Sequence, residues 1–143
     1  MAETTRVVLA EDNESLRKGI RRLLNKAQDI EVVGEARDGI ETLRLVDQFA
    51  PDVLLLDVEM PRLNGIQVAQ QLRMGDKKIH ILVLSAYDDQ EYIQAMLANG
   101  ASGYLIKDEA PERILEAVRG VAQGEKGWVS PQVASRLRKW KKS

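Results

Sequence analysis

Three acids, a hydroxyl and an ammonium group stand at the ends of apolar runs in this chain. Glu11 and Asp12 follow "RVVLA" (6–10), Asp57 closes "DVLLLD" (52–57), Ser85 closes "IHILVLS" (79–85) and Lys107 closes "SGYLIK" (102–107). Carboxylates gathered in one place repel and raise one another's pKa values unless a cation joins them. Oxygen donors without histidine or thiolate suit a hard ion, and Mg²⁺, which keeps several waters and takes one or two carboxylates, fits better than zinc. Adding a phosphoryl group gives every member of the set a task. Asp57 is a carboxylate nucleophile of the kind that forms an acyl phosphate, Mg²⁺ neutralises the developing oxygen charge, and Lys107 and the Ser85 hydroxyl address the remaining phosphoryl oxygens. Taken singly, each residue has a plainer reading as a loop acid, a helix cap or a surface cation. Their joint placement at successive strand ends carries the chemistry.

The elements that must position them follow from the patterning. Besides the four runs above, "IEVVGEA" (30–36) reads as a strand, giving five in all. Between and after the strands lie stretches with helical spacing: Leu16, Ile20, Leu23, Leu24 and Ala27; Ile40, Leu43, Val46 and Phe49; Ile66, Val68, Ala69 and Leu72; Tyr92, Ile93, Met96 and Leu97; Ile114, Leu115, Val118 and Val121. Five strands alternating with five helices predict an α/β fold with a parallel sheet covered on both faces. The unbroken "VLLL" and "ILVL" runs agree, since a strand buried on both sides shows no polar alternation. Asp12 or Asn13 can cap the first helix, Asn64 or Gly65 can start the third, "ANGAS" stops the fourth, and Pro111 suits the first turn of the fifth. In an open parallel sheet the ligand site lies beyond the carboxyl ends of the strands, so residues scattered from Glu11 to Lys107 converge on one rim.

The totals are those of one globular domain: 143 residues, a formal net charge of -1, no cysteine and a single histidine, His80, which reads as structural. The absence of cysteine removes disulfides, thiolate metal sites and thiol nucleophiles. No apolar run approaches the roughly 20 residues that span a bilayer, and the first residues lack the pattern of a secretory signal, so no membrane association and a cytoplasmic location are expected. After residue 123 the pattern loosens. Gly124 and Gly127 mark a linker, Ser130 and Pro131 open a short extra helix, and "RLRKWKKS" concentrates five cations from Arg136 to Lys142. Of the tail's two tryptophans, Trp128 and Trp140, one is expected to pack on the fifth helix.

The stretches "VVLAEDNE", "PDVLLLDVEMPRLNG", "ILVLSAYDD" and "GASGYLIKD" together resemble the receiver domain of two-component response regulators, over residues 5 to about 123. The resemblance implies a doubly wound, flavodoxin/CheY-like sheet of order 2-1-3-4-5 with five flanking helices. A receiver domain over residues 1–123 would then be followed by a linker and short basic helix over 124–143. It implies phosphoryl transfer from a sensor histidine kinase to Asp57, with Mg²⁺ held by Asp12, Asp57 and the main-chain carbonyl of Glu59 while Glu11 helps through water. It makes Ser85 and Tyr104 the switch pair and places Glu59 and Tyr87 where side chains set the lifetime of the phosphoaspartate. Self-phosphorylation and autodephosphorylation would be the only intrinsic chemistry. The segment from "GASGYLIKDEAPERI" to "GWVSPQVASRL" is similar to the LuxR/NarL/FixJ-type subgroup, whose receivers precede a DNA-binding helix-turn-helix. Such a domain would begin where this sequence ends, so either a stand-alone receiver or part of a longer regulator is expected, with DNA contact only through an output domain outside this chain. A homodimer, through the first and fifth helices or the fourth helix and fifth strand, is implied by the subgroup.

Two other classes compete. A phosphatase similar to haloacid dehalogenases also uses an aspartate, a hydroxyl and a lysine in that order, but it carries a second aspartate where this chain has Glu59, and Glu11 and Asp12 come too early. An interaction module without chemistry would have lost one of the five rim residues, and none is lost. The basic tail could add salt-dependent contacts to nucleic acid, yet no recognition helix accompanies it.

Overall fold

The computed structural model describes residues 4–141. Six strands and six helices alternate: β1 (Thr5–Ala10), α1 (Glu14–Asn25), β2 (Ile30–Ala36), α2 (Gly39–Phe49), β3 (Val53–Asp57), α3 (Gly65–Met74), β4 (His80–Ser85), α4 (Gln90–Ala98), β5 (Gly103–Ile106), α5 (Ala110–Ala122), β6 (Trp128–Val129) and α6 (Pro131–Lys141). All strand pairs are parallel, in the order β2-β1-β3-β4-β5-β6. The chain winds outward in one direction from β1 to β2 and in the other from β1 to β3, so the carboxyl ends of β1 and β3 border the point where the connections diverge. Glu11 and Asp12 leave β1 there, and Asp57 ends β3.

Successive strand residues feed opposite layers. Val7, Leu9, Val53, Leu55, Leu82, Leu84 and Leu105 pack with Ile20 and Leu24 of α1 and Ile114, Ala117, Val118 and Val121 of α5. Val8, Leu54, Leu56, Val83 and Tyr104 pack on the other side with side chains of α2, α3 and α4 and with Val133 of α6. Every residue of β3 is buried, as its uninterrupted apolar run requires. Local signals set the helix starts: the Asn13 side chain accepts from Leu16 N at α1, and Asn64 and Gln67 form a reciprocal capping box at α3. At the end of α4, Gly100 has φ 90, a conformation that glycine adopts without penalty.

The sheet is one strand wider than the five expected. Within the supposed linker, Trp128 and Val129 pair with Gly103 and Tyr104 of β5. Two glycines make this approach possible. A Cβ at Gly103 would lie 2.3 Å from the Trp128 carbonyl oxygen, and one at Gly120 of α5 would meet the Trp128 indole nitrogen at 2.2 Å. Trp128 is thus the tryptophan seated on the fifth helix, while Trp140 is half-buried against the α4-side core. Ser130 stands at the start of α6, its carbonyl accepting from Ala134 N at 2.9 Å, but its buried hydroxyl makes no capping bond. Its own N–H is tied to the Tyr104 carbonyl in the β5–β6 ladder, and the side chain is wholly enclosed. Of the five tail cations, Lys142 lies outside the described residues, and Arg136 pairs with Asp88 at 3.1 Å. Among the described residues no helix is long and apolar enough to cross a membrane.

Candidate functional site

Strand ends and the loops that follow them enclose a cavity of about 650 Å³ lined by Glu11, Asp12, Asn13, Asp57, Glu59, Met60, Asn64, Tyr87, Tyr92 and Lys107, among others. Asp57 is 4% exposed at its floor and Glu11 1%, whereas Asp12 is exposed. One carboxylate oxygen from each of Glu11, Asp12 and Asp57 lies within 4.8 Å of the others. Lys107, just past β5, reaches across with its Nζ 2.7 Å from Glu11 Oε1 and 3.4 Å from Asp57 Oδ2.

Burial pushes the Asp57 carboxyl up to about 7, with the Glu11 charge adding to the rise and Lys107 opposing it. The Glu59 N–H donates to Asp57 Oδ1 at 3.3 Å. Burial works against the charge of Lys107, but its contacts with Glu11 and Asp57 outweigh that and leave its pKa raised. Glu11 is held firmly: its Oε2 accepts from Asn13 N at 3.0 Å and its own N–H donates to the Ala36 carbonyl at 3.0 Å. Its Oε1 is close to Lys107 as an ion pair, yet that buried atom has no hydrogen-bond partner of acceptable angle among the described residues.

These donors fit a divalent cation. Two oxygens bound on opposite sides of an ion with bonds of about 2.1 Å are about 4.2 Å apart. One oxygen from each of the three carboxylates lies within 4.8 Å of the others, close to that span. Two buried carboxylates share the single ammonium group of Lys107, and burial beside the Glu11 charge suppresses the ionisation of Asp57, which marks a site that a further cation would neutralise. All the donors are oxygens, the set preferred by a hard ion.

The rest of the expected set lies on the same side. Ser85 is wholly buried at the end of β4, and its Oγ accepts from Tyr87 N at 2.9 Å. The Tyr87 phenol bridges to Glu59, donating to Oε2 at 3.1 Å across the cavity. That hydrogen bond, with the Glu59 charge behind it, raises the Tyr87 pKa. Tyr104 is turned inward with no exposure, and its hydroxyl donates to the Tyr87 carbonyl at 2.7 Å. Burial lifts its pKa to about 12. His80 lies at the amino end of β4, away from this rim.

Sequence reasoning did not single out Met60, Asn64 or Tyr92 as cavity walls, nor Arg17, which is buried beneath the acidic pair. Arg17 did carry a signal: with Ile20, Leu24 and Ala27 it keeps the spacing of an inward helical stripe, so a cation stood where an apolar residue belonged.

The fold is a doubly wound α/β domain with three acids and an ammonium group gathered at the carboxyl ends of its strands. The chain belongs to the response regulator receiver domain family, whose model matches residues 7–119. It is 37% identical over 131 residues to the transcriptional regulatory protein DegU of Brevibacillus brevis, covering 92% of this chain and 55% of that protein. It is 38% identical over 123 residues to the nitrate/nitrite response regulator NarL of Escherichia coli K12, covering 86% and 57%. The chain therefore spans about half the length of these curated relatives. Among solved structures, the receiver domain of a NarL regulator from Mycobacterium tuberculosis superposes with a TM-score of 0.83 at 38% identity, over 86% of this chain and 99% of that one. A LuxR-family two-component response regulator from Aurantimonas sp. SI85-9A1 reaches 0.91 at 27% identity over 99% of this chain and 100% of that one, a match that takes in β6 and α6.

Proposed function

We propose that this chain is a phosphorylation-dependent signalling receiver whose phosphoacceptor is Asp57. The observation that carries the reading is a buried carboxylate at the end of β3, flanked by Lys107 and by two further acids that face the same cavity. A phosphohistidine of a sensor kinase, or a small acyl phosphate, supplies the group. A carboxylate oxygen of Asp57 attacks phosphorus, the bond from phosphorus to the donor's imidazole nitrogen breaks, and the nitrogen keeps the electron pair and takes a proton from solvent. Asp12, Asp57 and the main-chain carbonyl of Glu59 would hold Mg²⁺, with Glu11 reaching it through water. When bound, Mg²⁺ supplies positive charge that stabilises the phosphoryl oxygens.

Lys107 pairs with one phosphoryl oxygen and the Ser85 hydroxyl donates to another. The Ser85 oxygen accepts from Tyr87 N while its O–H can donate, so turning Ser85 toward the phosphoryl oxygen draws with it the loop whose carbonyl also receives the Tyr104 hydroxyl. A small displacement at Asp57 thereby biases the position of α4 and β5. The Tyr87–Glu59 bridge lies over the approach of attacking water and sets the lifetime of the acyl phosphate. Turnover of small esters is not part of this function: the intrinsic chemistry is self-phosphorylation and slow loss of the phosphoryl group.

The output is control of transcription in the cytoplasm through a LuxR-type DNA-binding region outside this chain, a reading supported by the DegU relative's name, by the LuxR-family neighbour and by the greater length of the relatives. A homodimer through α1 and α5, or through α4 and β5, belongs to the same proposal. Mass measurement after incubation with acetyl phosphate and Mg²⁺ tests the central step. Wild type gains one phosphoryl group and Asp57→Ala gains none; an unchanged wild-type mass overturns the reading.

A further inference from the structure

We propose that Arg17 is the positioning residue of the cation site, holding the peptide that joins Glu11 to Asp12 so that both carboxylates face Asp57. Arg17 is only 6% exposed although it is a cation on a surface helix. Enclosing a guanidinium costs several kcal/mol unless it is paired and hydrogen-bonded. Its partners show what that burial accomplishes. Nη1 donates to the Glu11 carbonyl oxygen at 2.9 Å, and Nε pairs with Glu35 Oε1 at 3.4 Å.

The Glu11 carbonyl belongs to the planar peptide whose nitrogen is that of Asp12, so holding its oxygen restricts the backbone torsions on both sides from which the two carboxylates are aimed. The preceding peptide is tied as well, where Glu11 N–H donates to the Ala36 carbonyl, next along β2 from Glu35. Arg17 also donates its main-chain N–H to the Asn13 carbonyl, in the first turn of α1. One side chain thus clamps the β1–α1 loop to α1 and β2 together. Arg21, one turn further on, pairs with Glu35 Oε2 at 2.9 Å and, among the described residues, makes no hydrogen bond or ion pair with the acidic loop. It provides the internal control.

The inference rests on the reading of Glu11, Asp12 and Asp57 as a divalent-cation site, and the test separates the two. Free Mn²⁺ is followed by electron paramagnetic resonance during titration of wild type, Arg17→Met, Arg17→Lys and Arg21→Met, with Mg²⁺ as competitor and unfolding in EDTA as a check on the fold. Removing a positive charge near a cation site should by itself tighten binding. Loss of positioning works in the opposite sense. We expect Mn²⁺ affinity to fall on the order of tenfold in Arg17→Met, the scale of lost outer partners at metal sites. Arg17→Lys, which keeps the charge but not the fork, should also weaken binding, and Arg21→Met should match wild type or bind slightly tighter. The Mg²⁺ concentration giving half-maximal phosphorylation by acetyl phosphate should rise in parallel, with the rate at saturating Mg²⁺ retained. Should Arg17→Met fail to fold, Arg17→Lys carries the test. Equal or tighter Mn²⁺ binding by the folded Arg17 variants overturns the role of Arg17 alone, whereas wild type that binds no Mn²⁺ overturns the cation-site reading beneath it.

Discussion

Asp57 is held in its folded environment against its own ionisation. Its carboxyl rises from 3.8 to about 7, chiefly through burial and next through the charge of Glu11. An acid whose folded-state pKa exceeds its unfolded value binds more protons when folded over the interval between the two. Stability therefore falls as pH rises from 3.8 to about 7 and is level with respect to this group above that. Each unit is worth about 1.4 kcal/mol, so the loss amounts to a few kcal/mol. Lys107 does not offset this within the window, because its raised pKa gives a stabilisation fully present below 10.5 and lost only at higher pH. Asp57→Asn should remove the decline. In denaturant unfolding with EDTA, the variant should gain on wild type steadily between about pH 4 and about pH 7, and curves that stay parallel would contradict the burial argument. Added Mg²⁺ should narrow the gap at the alkaline end, where cation and proton no longer compete for the same oxygens.

The loop from β3 into α3 shows how closely elements are fitted around that carboxylate. Gly65 opens α3 directly against the strand end: its N–H donates to the Val58 carbonyl at 2.7 Å, and a Cβ there would lie 2.4 Å from the Asp57 carbonyl oxygen and 2.8 Å from Val58 Cα. Those neighbours are backbone and cannot turn aside. Gly65→Ala should cost about 1–3 kcal/mol, the usual scale of overpacking. It should also slow phosphorylation by acetyl phosphate, because relief comes only by moving α3 or the end of β3. Thermal unfolding and the rate of mass gain check the two effects, and a variant with wild-type stability would show that the loop is softer than this contact implies. That α3 begins at Asn64 or Gly65 was legible in the sequence, since Asn followed by Gly before an apolar stripe is a helix start. The contact with Asp57 was not, because it depends on the angle at which α3 leaves the sheet.

At the scale of the whole molecule, the segment after α5 is part of the body. β6 covers the edge of β5, and α6 buries Val133 completely in the layer that holds Tyr104, Ile93 and Met96. Gln132 and Arg136 of α6 both bond Asp88 in the loop after β4, at 2.6 and 3.1 Å. Val133→Ala should therefore lower the midpoint of a single transition, by on the order of 2 kcal/mol, without adding an early minor one. Coincident curves from tryptophan fluorescence and far-ultraviolet circular dichroism would show it; a separate early loss of helix would mean that α6 unfolds alone. The sequence by itself determined the five principal strands and the helices between them, because apolar periodicity is local. It also determined which residues reach the rim, because a parallel sheet sends every strand's carboxyl end to the same edge. Only the tertiary structure decided that Arg17 lies beneath Glu11, that Tyr87 bridges to Glu59 and that Trp128 adds a sixth strand. Each of those contacts depends on the distance between elements in space, and no periodicity along the chain encodes that distance.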